Sequence, residues 1–447
     1  MVKCASAFHR DRRVEFVTAG FGDGAGPHSH KDGPMSSTAR MRSFYFLLTL
    51  LVPLGLSVTG CEDARKQPVR RDSGSTARPG SAGGGFDWLR PRPEPEPAPP
   101  PRQSVWPPKA VWVARAAYRS PDEIIRIMDR ACQAGFNTVL FQVRGEGTVY
   151  YASKIEPWAV EYGSSGPGFD PLAVACREAH RRGMALHAWV NVMPGWRGSS
   201  PPRDPRQLYN AHPDWFWYDQ KGRRQPLGRF YLSVNPCLPE VRKYLVDLMR
   251  EIVTKYPVDG LHLDYIRFPL DEVPKGVDYP HDKRTLWIYK RDTGKRPQDS
   301  AASWNAWRTA QVTQLVGDIR AMQKQERPDI LLTAACGGDL TEYRTRYFQD
   351  GAAWLRGGLV DAVFTMNYAT KTSTFRSRHD AWLRATKSGM VIPGIGEYLH
   401  KSDALTIEQV KLARQWGRGL AIFSYGSLFD GSKTSRINAL KALIEGR

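Results

Sequence analysis

The densest chemistry in the chain lies in Leu261-His262-Leu263-Asp264-Tyr265-Ile266-Arg267-Phe268-Pro269. Read as a β-strand, its period-two alternation puts His262 and Asp264 on one face and Leu261 and Leu263 on the other. With the leucines packed against helices, the polar pair faces a cavity. A carboxylate placed there is costly unless it is solvated, hydrogen-bonded or used. The structural alternative is a fixed pair with Arg267 or Arg115. Glu397 is the second candidate, ending a run broken by Pro393, Gly394 and Gly396, with an exposed loop glutamate as its alternative. Glu146 and Asp339 are further acids, more readily read as loop residues. Two carboxyls facing one cavity suit glycosidic bond cleavage: one protonates the leaving oxygen, and the other stabilises or attacks the anomeric carbon or activates water. Asp264 and Glu397 are the expected catalytic pair, with their individual roles left open.

Aromatic residues gather near these positions: Trp189, Trp196, Trp215, Trp217, Tyr265, Tyr368, Tyr398 and Tyr425. Their apolar faces suit sugar C–H surfaces, and their hydroxyl and indole N–H groups suit polar edges. The residues expected to hold sugar or tune the carboxyls are Arg144, Glu146, Trp189, Asn191, His262, Tyr265, Arg267, Asn367, Tyr368 and Tyr425. The cluster Trp215-Phe216-Trp217-Tyr218 falls in a long insertion over 191–236 and is expected to form a cleft wall.

Other chemistries lack their signatures. There is no Gly-x-Ser-x-Gly elbow, P-loop or His-Glu-x-x-His helix. His180, His187 and His262 do not make a metal-ligand spacing, so no metal and no cofactor are expected. Cys132, Cys176, Cys237 and Cys336 are single and near apolar segments, which reads as buried thiols, although an exported chain could pair two of them. The net charge of +19 divides into +5 over residues 1–105 and +14 over the remainder, without a block of five like charges. No nucleic-acid motif accompanies it. A solvated basic surface is the plain reading, and attraction to an anionic envelope the alternative.

The elements that must position these residues emerge from Ala110 onward. Short apolar runs are expected as strands at Ala110–Arg115, Thr138–Val143, Ala185–Val190, Gly260–Phe268, Ile330–Cys336, Ala362–Tyr368, Val391–Glu397 and Gly419–Tyr425. Helices are expected at Pro121–Ala134, Pro171–Arg182, Leu238–Tyr256 and Ala302–Gln325, then near 342–356, 374–388, 406–416 and 433–445. Apolar strands alternating with helices imply a parallel sheet covered on its faces. Eight repeats favour an α/β fold of the (β/α)8 TIM barrel type over residues 109–447, with a long insertion after strand three. A doubly wound open sheet is the alternative, but it usually carries a Gly-rich turn after its first strand; here that turn reads Ala114-Arg115-Ala116-Ala117-Tyr118.

The preceding residues read differently. Arg40 and Arg42 precede the apolar run Ser43 to Val58, which is short for a membrane span, contains Pro53 and Gly55, and ends in Val58-Thr59-Gly60-Cys61. This pattern resembles a bacterial lipoprotein signal, in which Cys61 becomes the lipidated first residue after cleavage. The alternative is an ordinary secretory signal or anchor helix. Met35 or Met41 suits the start of such a signal better than Met1, so residues 1–40 are read as a leader that need not be translated, and 41–61 as the signal segment. Residues 62–108, with Gly83-Gly84-Gly85 and alternating proline from Pro91 to Pro101, are expected as a disordered Gly/Pro-rich linker.

Several stretches, taken in order, resemble the glycosyl-hydrolase-like family ten proteins, bacterial relatives of family 10-like glycosidases. They are residues 135–144 (Gly135 to Arg144), Glu156-Pro157-Trp158, Phe169-Asp170-Pro171-Leu172, residues 178–183 (Glu178 to Gly183), His187-Ala188-Trp189-Val190-Asn191, His212-Pro213-Asp214-Trp215 and residues 258–265 (Val258 to Tyr265). The resemblance covers Lys109 to about Phe429. It implies a (β/α)8 barrel and glycoside hydrolase activity, and some such relatives are envelope lipoproteins that cut peptidoglycan glycan strands lacking stem peptides. The expectation is therefore a monomeric enzyme of the cell envelope, held to the membrane through a lipid on Cys61, with a glycan or oligosaccharide substrate and no nucleic acid partner. The rim departs from the family pattern: Asp264 is followed directly by Tyr265, the fifth strand ends in Cys336-Gly337-Gly338, and the sixth in Met366-Asn367-Tyr368. A catalytically silent carbohydrate-binding lipoprotein is the alternative, and a metal-dependent deacetylase a weaker one.

Overall fold

A computed structural model describes residues 106–268, 273–387, 389–429 and 434–445 of the 447-residue chain. The expected leader, the signal segment with Cys61, and the linker up to residue 105 lie outside the described residues.

Eight parallel strands close a barrel: β1 (Lys109–Val113), β2 (Thr138–Arg144), β3 (Ala185–Asn191), β6 (Gly260–Asp264), β7 (Leu331–Gly337), β8 (Ala362–Met366), β9 (Val391–Gly396) and β10 (Leu420–Phe423), paired in that circular order with β10 against β1. All eight expected strands are present, most of them shorter at the carboxyl end than their apolar runs. The closed barrel is thus the fold, and the open sheet is not. The insertion after β3 holds an antiparallel hairpin of β4 (Pro194–Gly198) and β5 (Gly228–Ser233).

The helices are α1 (Pro121–Gln133), α2 (Pro171–Arg181), α3 (Leu208–Ala211), α4 (Pro239–Lys255), α5 (Lys283–Thr293), α6 (Ala301–Glu326), α7 (Leu340–Arg346), α8 (Gly351–Arg356), α9 (Thr372–Thr386), α10 (Asp403–Gln415), α11 (Tyr425–Leu428) and α12 (Thr434–Glu445). The expected helix near 342–356 is two, α7 and α8. Helix α5 was not anticipated. Starts follow local chemistry. Ser120 accepts from the Glu123 amide while Glu123 accepts from the Ser120 amide, closing a capping box worth about 1 kcal/mol. Asp339 caps α7 by accepting from the Glu342 amide at 3.0 Å, so it is a helix cap rather than a site acid.

Strand alternation separates two cores. Val111, Val139, Leu186, Leu261, Leu263, Val363 and Ile395 face the helices. Ala110, Trp112, Leu140, Trp189, Phe364, Ile392 and Ala421 fill the barrel interior. The wide Trp112 needs space, and Gly394 on β9 supplies it: a Cβ there would lie 2.3 Å from the Thr365 carbonyl oxygen and 2.9 Å from the Trp112 ring. Gly394→Ala is therefore expected to cost about 1–3 kcal/mol through overpacking, read as a lowered denaturant midpoint. An unchanged midpoint would mean that the neighbours give way freely.

Cys176, Cys237 and Cys336 are buried thiols and Cys132 is half-buried, and among the described residues none of the four is paired. No described helix is long and apolar enough to cross a membrane.

Candidate active site at the carboxyl end of the barrel

Asp264 is the last residue of β6 and points into the barrel mouth, as its parity requires. Its neighbours form a cradle. The Trp189 indole N–H donates to Oδ2 at 3.2 Å, the Tyr265 amide to Oδ1 at 2.7 Å, and the Arg267 guanidinium to Oδ1 at 3.3 Å. Tyr265 adopts a left-handed backbone, φ 48°, which costs a non-glycine residue about 1 kcal/mol. That turn lets the chain fold back, so that Tyr265 and Arg267 serve the carboxyl they follow. The Arg267 guanidinium lies 4.2 Å over the Tyr265 ring. Burial still dominates: desolvation holds the Asp264 carboxyl above its ordinary range, opposed by Arg267 and the donated hydrogen bonds. A carboxyl displaced upward is suited to donate a proton.

The mouth has two unlike halves. Four adjacent strands, β1, β2, β3 and β6, present polar groups at their ends: Arg115, Glu146, Asn191 and Asp264. Asn191 is registered beside Asp264, and its buried Oδ1 has no hydrogen-bond partner among the described residues. Arg115 Nη2 meets Glu146 Oε2 at 2.5 Å and also hydrogen-bonds Tyr231 of the hairpin. The ring of Tyr231 meets Tyr265 edge-on at 4.9 Å. The other half is aromatic. Tyr368 after β8, Tyr398 after β9 and Phe423 of β10 lie with centroids 5.5–5.9 Å apart. Trp112 lies beneath them, 6.5 Å from Tyr368 and 6.0 Å from Phe423, and Trp189 lies 6.4 Å from Phe423.

Several expected residues take other positions. Arg144 does not line the mouth. The β2–β3 register shifts between Gln142 and Arg144, so Arg144 aligns with outward-facing Val190. Its guanidinium pairs bidentately with Glu156 at 2.7 and 2.8 Å and donates to the carbonyls of Asn191, Val192 and Pro194. It is a fully buried clamp. His262 lies one layer below Asp264, accepting from the Trp112 indole at 3.1 Å and bonding Thr333 Oγ1 at 2.9 Å. Burial depresses its pKa well below the ordinary histidine value, which makes it a neutral floor residue. Asn367 turns away to donate to the Phe375 carbonyl in α9 at 2.7 Å.

Tyr425 shares parity with Phe423, but β10 ends at Phe423 and α11 begins, so Tyr425 rotates outward to Arg130 of α1. Glu397, expected at the cleft, is fully enclosed where β9 passes into a 3-10 turn. Neither the open cleft carboxylate nor the exposed loop glutamate describes it. The expected cleft wall is interior packing instead: Phe216 and Trp217 are buried, and Trp215 stacks on His212 at 3.7 Å. The site residues that went unrecognised are Trp112, Tyr231 and Phe423. Phe423 was readable from strand parity. Tyr231 was readable from the run Phe230-Tyr231-Leu232-Ser233-Val234, bounded by Gly228 and by Asn235-Pro236.

Fold and site together define a (β/α)8 barrel with a buried carboxyl, lifted by desolvation, set between polar and aromatic walls. The chain belongs to the glycosyl hydrolase-like 10 family, whose model matches residues 105–416. It is 28% identical over 294 residues to glycosyl hydrolase DigH of Escherichia coli K12, covering 59% of this chain and 62% of that protein. It is 26% identical over 332 residues to glycosyl hydrolase YngK of Bacillus subtilis, covering 66% and 61%. The chain thus spans somewhat less than two thirds of the length of either relative. Among solved structures, the catalytic domain of β-amylase from Paenibacillus polymyxa shares the fold, with a TM-score of 0.56 at 10% identity, covering 75% of this chain and 97% of that one.

Proposed function

We propose that the protein is a glycoside hydrolase of the bacterial envelope that cuts a glycan polymer, with peptidoglycan strands free of stem peptides as substrate and Asp264 as general acid. The observation that carries this reading is the buried Asp264 carboxyl, displaced upward at the base of the mouth. The aromatic half suits pyranose faces, and Asn191 Oδ1 offers an acceptor to a sugar hydroxyl. Membership of the glycosyl hydrolase-like family supports the same chemistry. Anchoring through a lipid on Cys61, after export by the signal segment, would keep the barrel at its polymer, with the proline-rich linker as spacer and the +19 charge favouring an anionic wall. The chain acts as a monomer in this reading.

The test is mass spectrometry of peptide-free glycan strands incubated with the wild-type chain and with Asp264→Asn. Fragments from the first and none from the second are expected. Binding without fragments from the wild type would instead support the silent carbohydrate-binding reading, which the altered rim motivates.

The general-acid role has a pH signature. Activity is lost as pH rises through the Asp264 pKa, because the donor proton is gone. Arg267 opposes the upward displacement of that pKa. Arg267→Gln is therefore expected to move the alkaline limb of kcat/KM to higher pH. A limb that stays put or moves downward would assign it to another group.

A further inference from the structure

We infer that Glu146, held by Arg115, is the second catalytic carboxylate, activating water, and that the reaction inverts the anomeric configuration. This deepens the glycosidase reading and rests on it.

Exposure distinguishes the acids at this end of the barrel. Glu397 is fully enclosed, and the Glu156 side chain, 1% exposed, is consumed by Arg144. Asp264 and Glu146 keep 8% and 16% of their side-chain surface open. Glu146 is also held in place. Its backbone carbonyl accepts from Gln207 Nε2 at 3.1 Å. Gly145 before it lets Arg115 lie against the chain, since a Cβ there would be 2.6 Å from the guanidinium carbon. Gly147 after it has φ +66°, with the Gly195 carbonyl oxygen 2.4 Å from where a Cβ would stand. Arg115 then links Glu146 through Tyr231 to Tyr265 and so to Asp264. A glutamate fixed this closely, with its carboxylate at the mouth and its one strong partner also bound to the site, is poised rather than loose.

Separation decides the chemistry. Only β3 lies between β2 and β6, so their ends are roughly 10 Å apart at two strand spacings of about 4.8 Å. Glu146 follows β2 and is drawn by Arg115 toward β1, away from β6, so its carboxyl falls nearer the ~6.5–9.5 Å of inverting enzymes than the ~5–5.5 Å of retaining ones. Asp264 donates its proton to the glycosidic oxygen as the C–O bond breaks. Glu146 takes a proton from a water whose oxygen bonds the anomeric carbon from the opposite face. One water is consumed, each fragment gains a hydroxyl, and the proton returns from Glu146 to Asp264 through solvent. Arg115 is the positioning residue.

The experiment uses the full chain and peptide-free glycan strands. Proton NMR of the new reducing ends, taken before mutarotation, is expected to show the anomer opposite to the cleaved linkage. Glu146→Gln is expected to lose at least 100-fold in kcat while its unfolding midpoint is kept, and added azide is expected to restore turnover with a glycosyl azide of inverted configuration. Retained configuration in the wild-type product overturns the assignment without touching the glycosidase reading, and needs no variant to fold. A Glu146→Gln turnover within tenfold of wild type, with Asp264→Asn inactive, does the same. A wild-type chain that binds the strands without cutting them overturns both.

Discussion

Asp264→Asn is expected to abolish strand cleavage and, at neutral pH, to raise stability. A positioned general acid is worth about 10²–10⁴-fold in rate, so kcat should fall by that much with binding retained. The stability effect follows from linkage. The native state holds the Asp264 proton more tightly than the unfolded chain does, because burial lifts the carboxyl. Between the ordinary aspartate value, about 3.9, and the lifted native value, the native state binds more protons, so stability falls as pH rises. Above that window the penalty for an ionised buried carboxylate is paid in full. An amide carries no such charge. The variant should therefore melt higher than wild type at pH 7, and the gap should close as pH approaches 4. Thermal unfolding across that range checks it. A variant less stable than wild type at pH 7 would show that Trp189, Tyr265 and Arg267 favour the carboxylate more than burial opposes it.

Arg144→Met is expected to destabilise the barrel by about 3–5 kcal/mol. Removing one partner of a buried ion pair leaves the other charge uncompensated. Here Glu156 would stay enclosed with, among the described residues, the Tyr244 hydroxyl donating to its Oε1, and the carbonyls of Asn191, Val192 and Pro194 would lose their shared donor. Those carbonyls lie where β3 leaves the barrel for the hairpin, so loosening should reach Asn191 and the mouth. Urea unfolding with an intrinsic tryptophan signal measures the loss. A cost under about 1 kcal/mol would mean that water or a rearranged loop satisfies Glu156.

The barrel was legible because each of its strands is a short apolar run set between helical stretches and the count reaches eight. Asp264 was legible because parity along Leu261-His262-Leu263-Asp264 survives to the end of β6. Parity failed wherever the strand did. The register shift beyond Gln142 turned Arg144 outward, and the ends of β9 and β10 came just before Glu397 and Tyr425. A bulge and a strand end are set by cross-strand hydrogen bonding, which the local sequence does not record. His262 followed parity correctly but lay one layer too deep, since depth along a tilted strand depends on barrel closure. Helix α5 and the hairpin belong to insertions that an alternation of eight strands and eight helices does not require, although Asp282 and Gly294 bracket α5 with ordinary cap residues.

The unlike halves of the mouth also bear on how such a barrel can change. Arg115, Glu146, Asn191 and Asp264 stand at the ends of β1, β2, β3 and β6, whereas Tyr368, Tyr398 and Phe423 belong to β8, β9 and β10, and β7 between them ends in Gly337 followed by Gly338. The halves nevertheless meet: Trp189 donates to Asp264 and lies 6.4 Å from Phe423, and β10 pairs with β1. Substitutions that share a partner tend not to add. A ring swap at Phe423 is therefore expected to be felt at the indole that donates to Asp264. One tryptophan thus ties the two arcs of the mouth together, so neither arc of such a barrel changes without consequence for the other.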